Sequence, residues 1–196
     1  MVDDRRTGAV AGEASPYYLS HPWAAERAAA LVPDARIVAL LRDPVARAHS
    51  HYKERVKQGI EDLPTFAAAI AAEDDRLAGE VEHMLDDPTY VSWNHLNFGY
   101  LAQSDYATGL ARWLDHYPAD QVLVLPSEDF YAAEGETIDR VRAHLGLAPA
   151  GLAKAEHFND TGSSSVDPGL EAELRARLTD SVAALVSLTG LDAPWT

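Results

Sequence analysis

Two short runs of apolar residues stand out along the chain, at residues 36–41 (Arg-Ile-Val-Ala-Leu-Leu) and 121–125 (Gln-Val-Leu-Val-Leu). Each run is rich in β-branched residues or leucine and is bounded by turn-forming residues. This pattern is typical of a parallel strand that is buried on both faces. A shorter apolar stretch at residues 7–13 ends near a glycine and predicts a third buried strand.

Between and after these strands, apolar residues recur at helical spacing. The last predicted helix begins at Pro168, which follows Asp167 in a cap-plus-proline signature. Residues 78–99 show no clear period. Strands that alternate with helices predict an α/β fold, a three-layer sandwich with a mainly parallel sheet, in one domain over residues 1–196. The remaining predicted helices span residues 22–31, 44–57, 63–77, 104–116 and 136–145.

Composition narrows the possible functions. The 196 residues include no cysteine, which excludes disulfides, thiolate metal sites and a cysteine nucleophile. The formal net charge of −15 repels nucleic-acid phosphates, so we expect no nucleic-acid partner. No apolar stretch is long enough for a membrane span and the N-terminus lacks a signal-peptide layout. We therefore expect a cytoplasmic protein with no membrane partner.

The junction at Arg42 is the strongest candidate site. Arg42 ends the first long strand, and Asp43 and Pro44 have the residue types of an N-cap and a first helical position. Helix N-termini bind anions, and arginine offers a planar charged fork that suits phosphate. Ser50 lies two turns into the same helix and could donate a hydroxyl. A plain helix cap beside a surface arginine is the alternative interpretation of the same residues.

The chain also resembles a known family. Residues 42–52 (Arg-Asp-Pro-Val-Ala-Arg-Ala-His-Ser-His-Tyr), directly after a strand, resemble the 3′-phosphate-binding motif of sulfotransferases that use 3′-phosphoadenosine-5′-phosphosulfate (PAPS). The heparan sulfate type and its bacterial relatives are the most similar. Residues 12–19 and 104–125 resemble two further family segments. Residues 158–159 and Trp195 lie where the family's end loop and C-terminus fall.

This resemblance implies a P-loop-like fold and a sulfotransferase reaction. PAPS would be the cofactor and 3′,5′-ADP the product, and the acceptor would be a hydroxyl or amine on a small molecule or carbohydrate. Arg42 and Ser50 correspond to the residues with which the family holds the 3′-phosphate. Arginine pairs bidentately with phosphate, and a charge-assisted bond from a hydroxyl adds geometric definition.

The chain departs from the family at the other end of the cofactor. No Lys-x-Gly-Thr-Thr sequence, the family's loop for the 5′-phosphosulfate, occurs among its three lysines. Only eleven residues precede Gly12, so we expect an N-terminally incomplete domain that lacks the first strand and this loop. A complementing chain or a swapped segment could supply them. The missing strand would also leave a sheet edge exposed, so a homo-oligomer is a further expectation. Ala14, and the absence of a basic element from residues 159–165, are further departures.

Catalytic candidates are few. Glu13 is our candidate base, with His21 as a second. The alternative for Glu13 is a purely structural role, and the alternative for His21 is a solvent-facing cap residue. Residues 93–100 could line an acceptor pocket or belong to the core. The eight histidines show no metal-ligand spacing, so we expect no metal. A non-catalytic binding or interaction module with the same fold is the alternative function.

Overall fold

The structure is a computed structural model that describes residues 10–149 and 165–195. These residues form two strands, β1 (Ile37–Leu41) and β2 (Val122–Pro126). In chain order the helices are α1 (Ala24–Leu31), α2 (Pro44–Lys57), α3 (Phe66–Leu77), α4 (Glu80–Asp86), α5 (Trp93–Phe98), α6 (Tyr106–His116), α7 (Ser127–Ala132), α8 (Glu134–His144) and α9 (Pro168–Thr189).

The two strands pair in parallel, which confirms the predicted α/β class with a parallel sheet. Ile37 lies opposite Val122, and the register continues to Leu41 opposite Pro126. The crossover from β1 to β2 contains five helices. Both strands therefore deliver their carboxyl ends, and the turns that follow them, to the same edge of the sheet.

Only one face of β1 is covered. Ala39 and Leu41 pack with residues of α6 and α9, whereas Val38 is 39% exposed and Leu40 50% exposed on the opposite face. The prediction that this strand is buried on both faces is therefore wrong. Successive strand side chains point to opposite faces. On the face of Val38 and Leu40 the cover lies over β2, since Leu125, opposite Leu40 in the register, is fully buried.

The predicted third strand is absent from the part of residues 7–13 that the structure describes. Residues 10–13 are exposed and pair with no strand, while residues 7–9 lie outside the described ranges. Val10 is 57% exposed, so its apolar side chain is not buried against a sheet. The predicted polar loop at residues 157–167 also lies mostly outside the described residues.

The helix starts at α2 and α9 are confirmed, and the predicted start of α6 is off by one residue. Asp43 caps α2 by accepting a hydrogen bond from the Ala46 amide at 2.8 Å, and Asp167 caps α9. At α6 the cap is Asp105, not Ser104. The Ser104 hydroxyl is occupied elsewhere, because it lies 3.0 Å from the carbonyl oxygen of Pro44 and 2.9 Å from that of Tyr100.

Three short helices, α4, α5 and α7, were not predicted. Each has only six or seven residues, too few for a periodic pattern to emerge. Local polar contacts specify the first two instead. The Glu80 carboxylate accepts hydrogen bonds from Tyr90, Ser92 and Asn94, and Ser92 in turn caps α5 by accepting from the His95 amide at 2.9 Å.

The core consists of three clusters of buried apolar residues. One packs α2, α3 and α9 together, and the other two lie along α6. The buried face of α6 includes Tyr106, Leu110 and Trp113. Leu185 of α9 and Trp195 join this face, and the Tyr106 and Trp195 rings lie 6.2 Å apart. No helix within the described residues is long and apolar enough to cross a membrane. The cytoplasmic location stays a prediction.

Candidate functional site

The turn after β1 is held rigidly by three other elements. The Arg42 carbonyl oxygen accepts a hydrogen bond from the Tyr106 hydroxyl of α6 at 3.0 Å. The Asp43 amide donates to Oε1 of Glu128 in α7 at 3.0 Å, which joins the carboxyl ends of both strands. The Asp43 carboxylate pairs with Arg175 of α9 at 2.8 Å. The backbone at Arg42 is therefore fixed in position.

The Arg42 side chain, in contrast, is uncommitted. It is exposed, and its guanidinium makes no hydrogen bond or ion pair with any described residue. Arg47, one turn into α2, shows the opposite behaviour, since its guanidinium donates to the Ser104 hydroxyl and to the Tyr100 carbonyl. A fixed backbone with a free guanidinium at a helix start is an arrangement suited to an incoming anion.

The outward face of α2 adds polar groups beside Arg42. His49 and Ser50 are half-buried neighbours, and both lie one turn before Lys53, at spacings of four and three residues. The His49 ring packs on Phe66 with centroids 5.0 Å apart. Burial, Lys53 and Arg42 together lower the pKa of His49 below its ordinary 6.5. Burial is the largest cause of this shift, and Lys53 and Arg42 are the two cations that add to it.

The second histidine of α2 lies elsewhere, as the sequence spacing predicted. The His51 ring faces inward and meets the Tyr100 ring at 5.2 Å. Burial and the nearby charges of Arg47 and Arg55 lower the pKa of His51 to about 3. This imidazole is neutral at physiological pH and serves the core. The two histidines cannot share a ligand.

Glu13 lies in an exposed segment before the 3₁₀ turn at Pro16–Leu19. Its carboxylate accepts a hydrogen bond from the Tyr18 hydroxyl at 2.9 Å, which raises the pKa of Tyr18. The turn itself is anchored on α6, because the Trp113 indole donates to the Tyr18 carbonyl at 3.3 Å. Glu13 is therefore a surface carboxylate with one defined donor.

His21, the second candidate base, caps the entry to α1. Its Nδ1 accepts a hydrogen bond from the Trp23 amide at 3.1 Å. Burial is the main cause that lowers the pKa of His21, with Arg27 and Arg112 adding to it. The structure thus supplies the cap role that the sequence offered as the alternative.

Comparison with known proteins indicates the family. The human heparan sulfate glucosamine 3-O-sulfotransferase 3B1 is 29% identical over 154 residues, which cover 79% of this chain and 35% of that protein. The human bifunctional heparan sulfate N-deacetylase/N-sulfotransferase 2 is 27% identical over 139 residues, which cover 70% of this chain and 14% of that protein. A sulfotransferase structure from Alicyclobacillus acidocaldarius superimposes with a TM-score of 0.74 and 31% identity, covering 93% of this chain and 65% of its own.

These similarities support a sulfotransferase family for the chain. No family model matches the sequence, so this support rests on the related proteins and on the solved structure. The sulfotransferase homologue spans about a third of the length of the 3-O-sulfotransferases that it matches. The P-loop-like α/β fold expected from the resemblance agrees with the structural neighbour.

The aromatic stretch of this sulfotransferase homologue is mainly a core feature. Tyr100 is fully buried and His95 is 4% exposed, whereas Trp93 is 59% exposed. The Tyr17 hydroxyl lies 2.7 Å from Nδ1 of His95, which ties α5 to the Pro16–Leu19 turn. Burial is the main cause that lowers the pKa of His95 to about 4. Of these three, only Trp93 presents a large surface that an acceptor could contact.

Sequence reasoning missed several residues that build the site. Lys53 follows Ser50 by three residues on a predicted helix, so helical spacing alone would have placed it beside the hydroxyl. Tyr106 and Glu128 hold the Arg42 turn from distant parts of the chain, and no local signal marks them. Within the described residues no group of three or more His, Asp or Glu side chains could hold a metal ion.

Proposed function

We propose that the chain binds PAPS by its 3′-phosphate at Arg42 and Ser50 and serves sulfuryl transfer to a carbohydrate or small-molecule acceptor. The uncommitted guanidinium of Arg42, held on a fixed turn at the carboxyl end of β1, is the observation that carries this proposal. The similarity to sulfotransferases supports PAPS as the nucleotide.

The residues present fit a phosphate. A guanidinium binds two phosphate oxygens at once, and the positive end of α2 adds a favourable field. The Ser50 hydroxyl makes no hydrogen bond with any described residue and so is available as a donor. PAPS supplies the sulfuryl group when it is bound. Arg42 and Ser50 bind and orient the nucleotide and take no part in the bond that breaks.

We propose a hydroxyl or amine of a carbohydrate as the acceptor, because the relatives' names specify heparan sulfate glucosamine. A small-molecule acceptor remains the second possibility. Transfer to either needs a base that takes the acceptor's proton. Glu13 is our candidate, since its carboxylate is exposed and oriented by the Tyr18 hydroxyl.

The groups that would bind the 5′-phosphosulfate of the nucleotide are missing from the chain. No Lys-x-Gly-Thr-Thr sequence is present in the chain. We propose that a complementing segment from a different chain contributes these groups. The same observation favours the second candidate function, a binding module that keeps the 3′-phosphate site without catalysis.

Isothermal titration with 3′,5′-ADP tests the proposed site. We expect the wild-type chain to bind, Arg42→Ala to weaken binding at least about tenfold, and Ser50→Ala to weaken it less, since a charged donor contributes more than a neutral one. Arg36→Ala is the matched control, because Arg36 precedes the opposite end of β1 and donates to the Asp120 carbonyl at 2.9 Å. Wild-type and Arg42→Ala curves that coincide would refute the site.

A transfer assay separates enzyme from binding module. The wild-type chain, alone and with an added Lys-x-Gly-Thr-Thr segment from a relative, is given labelled PAPS and a carbohydrate acceptor. The enzyme proposal predicts labelled acceptor, lost in Glu13→Gln while the affinity for 3′,5′-ADP is kept. Nucleotide binding without transfer in either arrangement would support the binding module.

A further inference from the structure

We propose that His49 is a further phosphate-binding group at this site and that it takes up a proton when the nucleotide's 3′-phosphate binds. Binding of the nucleotide would then strengthen as the solution becomes more acidic. This inference rests on the proposed function, because it assumes that the 3′-phosphate occupies the surface formed by Arg42 and Ser50.

The position of His49 supports a direct contact. It lies one turn before Lys53 in α2, so these two side chains share a side of the helix, and Arg42 is close enough to act on its charge. Phe66 of α3 packs against the ring, with centroids 5.0 Å apart, and limits its movement. Neither ring nitrogen makes a hydrogen bond with a described residue, although the imidazole is half-buried. A half-buried imidazole that has no hydrogen-bond partner can donate to a phosphate oxygen with little loss of conformational entropy.

The charges around His49 are the second support. Arg42 and Lys53 are the charged groups that act on it, and both are cations. From α3 it meets the apolar Phe66, while two of the three carboxylates of that helix, Glu73 and Asp74, have partners elsewhere. Glu73 accepts from the amides of Leu101 and Ala102.

Two carboxylates of α3 and of the turn before α2 have cationic partners from α9. Asp74 of α3 lies 3.8 Å from Arg177 of α9, and Asp43 pairs with Arg175. No described carboxylate acts on the charge of His49. Burial and its two cationic neighbours lower the pKa of His49 in the free protein. A bound phosphate would bring the missing negative charge and reverse this effect.

The direction of the pH dependence follows from linkage. The gain in affinity is fully present below the pKa of free His49, which lies under 6.5, and is lost as pH rises through the pKa in the complex. The phosphate of the nucleotide also titrates, with a second pKa of about 6, and its protonation acts in the opposite sense. Comparison with a variant that lacks the imidazole removes this ligand contribution.

Histidine proton NMR tests the inference directly. The C2 proton signal of His49 is the one that disappears in His49→Gln, and its titration is followed with and without saturating 3′,5′-ADP. We expect its pKa to rise by about one or more on binding, which corresponds to about a tenfold or greater linkage. The C2 proton signal of His116, exposed at the far end of α6, serves as the internal control and should not respond to the nucleotide.

Calorimetry supplies the affinity readout. The ratio of wild-type to His49→Gln affinity should be higher at pH 5.5 than at pH 8 and should approach about tenfold as the pH falls below the pKa of free His49. Wild type should take up more protons on binding than His49→Gln does. An unchanged His49 pKa in a chain whose nucleotide binding depends on Arg42 would overturn this inference and leave the proposed function intact. No binding by the wild-type chain, or binding indifferent to Arg42→Ala, would overturn the proposed function itself.

Discussion

At the scale of single residues, the described arginines differ in whether their guanidinium contacts another part of the fold. Arg76 makes two hydrogen bonds to Glu61 at 2.6 and 3.0 Å, and Arg175 bridges Asp43 and Glu171. Arg42 makes no such contact with a described residue. All three are ordinary arginines in the sequence, so only their surroundings separate a structural cation from a binding one.

Glu61 is a buried carboxylate whose ionised form the fold requires. It is 5% exposed and accepts hydrogen bonds from Arg76, from the Tyr100 hydroxyl at 2.7 Å and from the Leu63 amide at 2.9 Å. Burial alone would raise its pKa, but the hydrogen bonds from Arg76, Tyr100 and Leu63 outweigh burial and lower it to about 2. The folded state is therefore stabilised wherever Glu61 is ionised.

We predict that Glu61→Gln lowers the free energy of unfolding by about 3 kcal/mol at pH 7. The folded pKa lies below the ordinary 4.5, so this difference is complete above pH 4.5 and declines as pH falls toward 2. Urea denaturation at pH 7, 4 and 3 measures it, with the exposed Glu82→Gln as control. Equal stability of wild type and Glu61→Gln at pH 7 would contradict the account.

At the scale of elements, predictability followed the length and burial of each segment. The helices α2, α6 and α9 have long apolar stripes and explicit caps, so their sequences predicted them within a residue or two. The short helices α4 and α5 depend on the Glu80 and Ser92 contacts, which no periodic pattern encodes. The one-sided burial of β1 was missed because the composition of a strand does not reveal what covers each face.

The contact between the Pro16–Leu19 turn and α6 offers a sharp test of an element interface. A Cβ atom at Gly109 would lie 2.5 Å from the Leu19 carbonyl oxygen, which is backbone and cannot rotate away. We predict that Gly109→Ala destabilises the chain by about 1–3 kcal/mol. Gly135→Ala in α8 is the matched control, since nothing lies within 4 Å of its added Cβ.

Both substitutions add the same methyl group within a helix, but only the one at Gly109 meets the Leu19 backbone. Gly135→Ala should be neutral or stabilising by up to about 1 kcal/mol, because alanine favours helix more than glycine does. Thermal denaturation followed by circular dichroism compares both variants with the wild type. If Gly109→Ala proves as stable as Gly135→Ala, the turn that carries Glu13 and Tyr18 is not packed on α6 as described.

At the scale of the whole molecule, one face of β1 is exposed and favours association with a partner. Val38 and Leu40 are side by side on that face and exposed, an unusual position for strand residues of this type. We predict concentration-dependent self-association in sedimentation equilibrium, reduced by the double substitution Val38→Thr and Leu40→Thr. Val91→Thr, at an exposed loop valine, is the control. A wild-type chain that stays monomeric at every concentration would refute this prediction.

The candidate site was predictable in part for the same physical reasons as the fold. Arg42, Asp43 and Ser50 belong to one strand–turn–helix unit, where local sequence dictates both the cap and the residue spacing. The groups that fix this unit, Tyr106 and Glu128, come from residues 64 and 85 positions away along the chain. Their roles follow from tertiary packing, which a single sequence does not display.

The most direct test of the central claim is a thermal-shift titration with 3′,5′-ADP against 5′-AMP, in wild type and Arg42→Ala. A ligand at 100 times its dissociation constant stabilises the folded state by about 2.7 kcal/mol, or about 5 °C or more for a chain of this size. The account predicts that shift for wild type with 3′,5′-ADP alone and its loss in Arg42→Ala. No shift with 3′,5′-ADP, or an equal shift in Arg42→Ala, would contradict a 3′-phosphate site at Arg42.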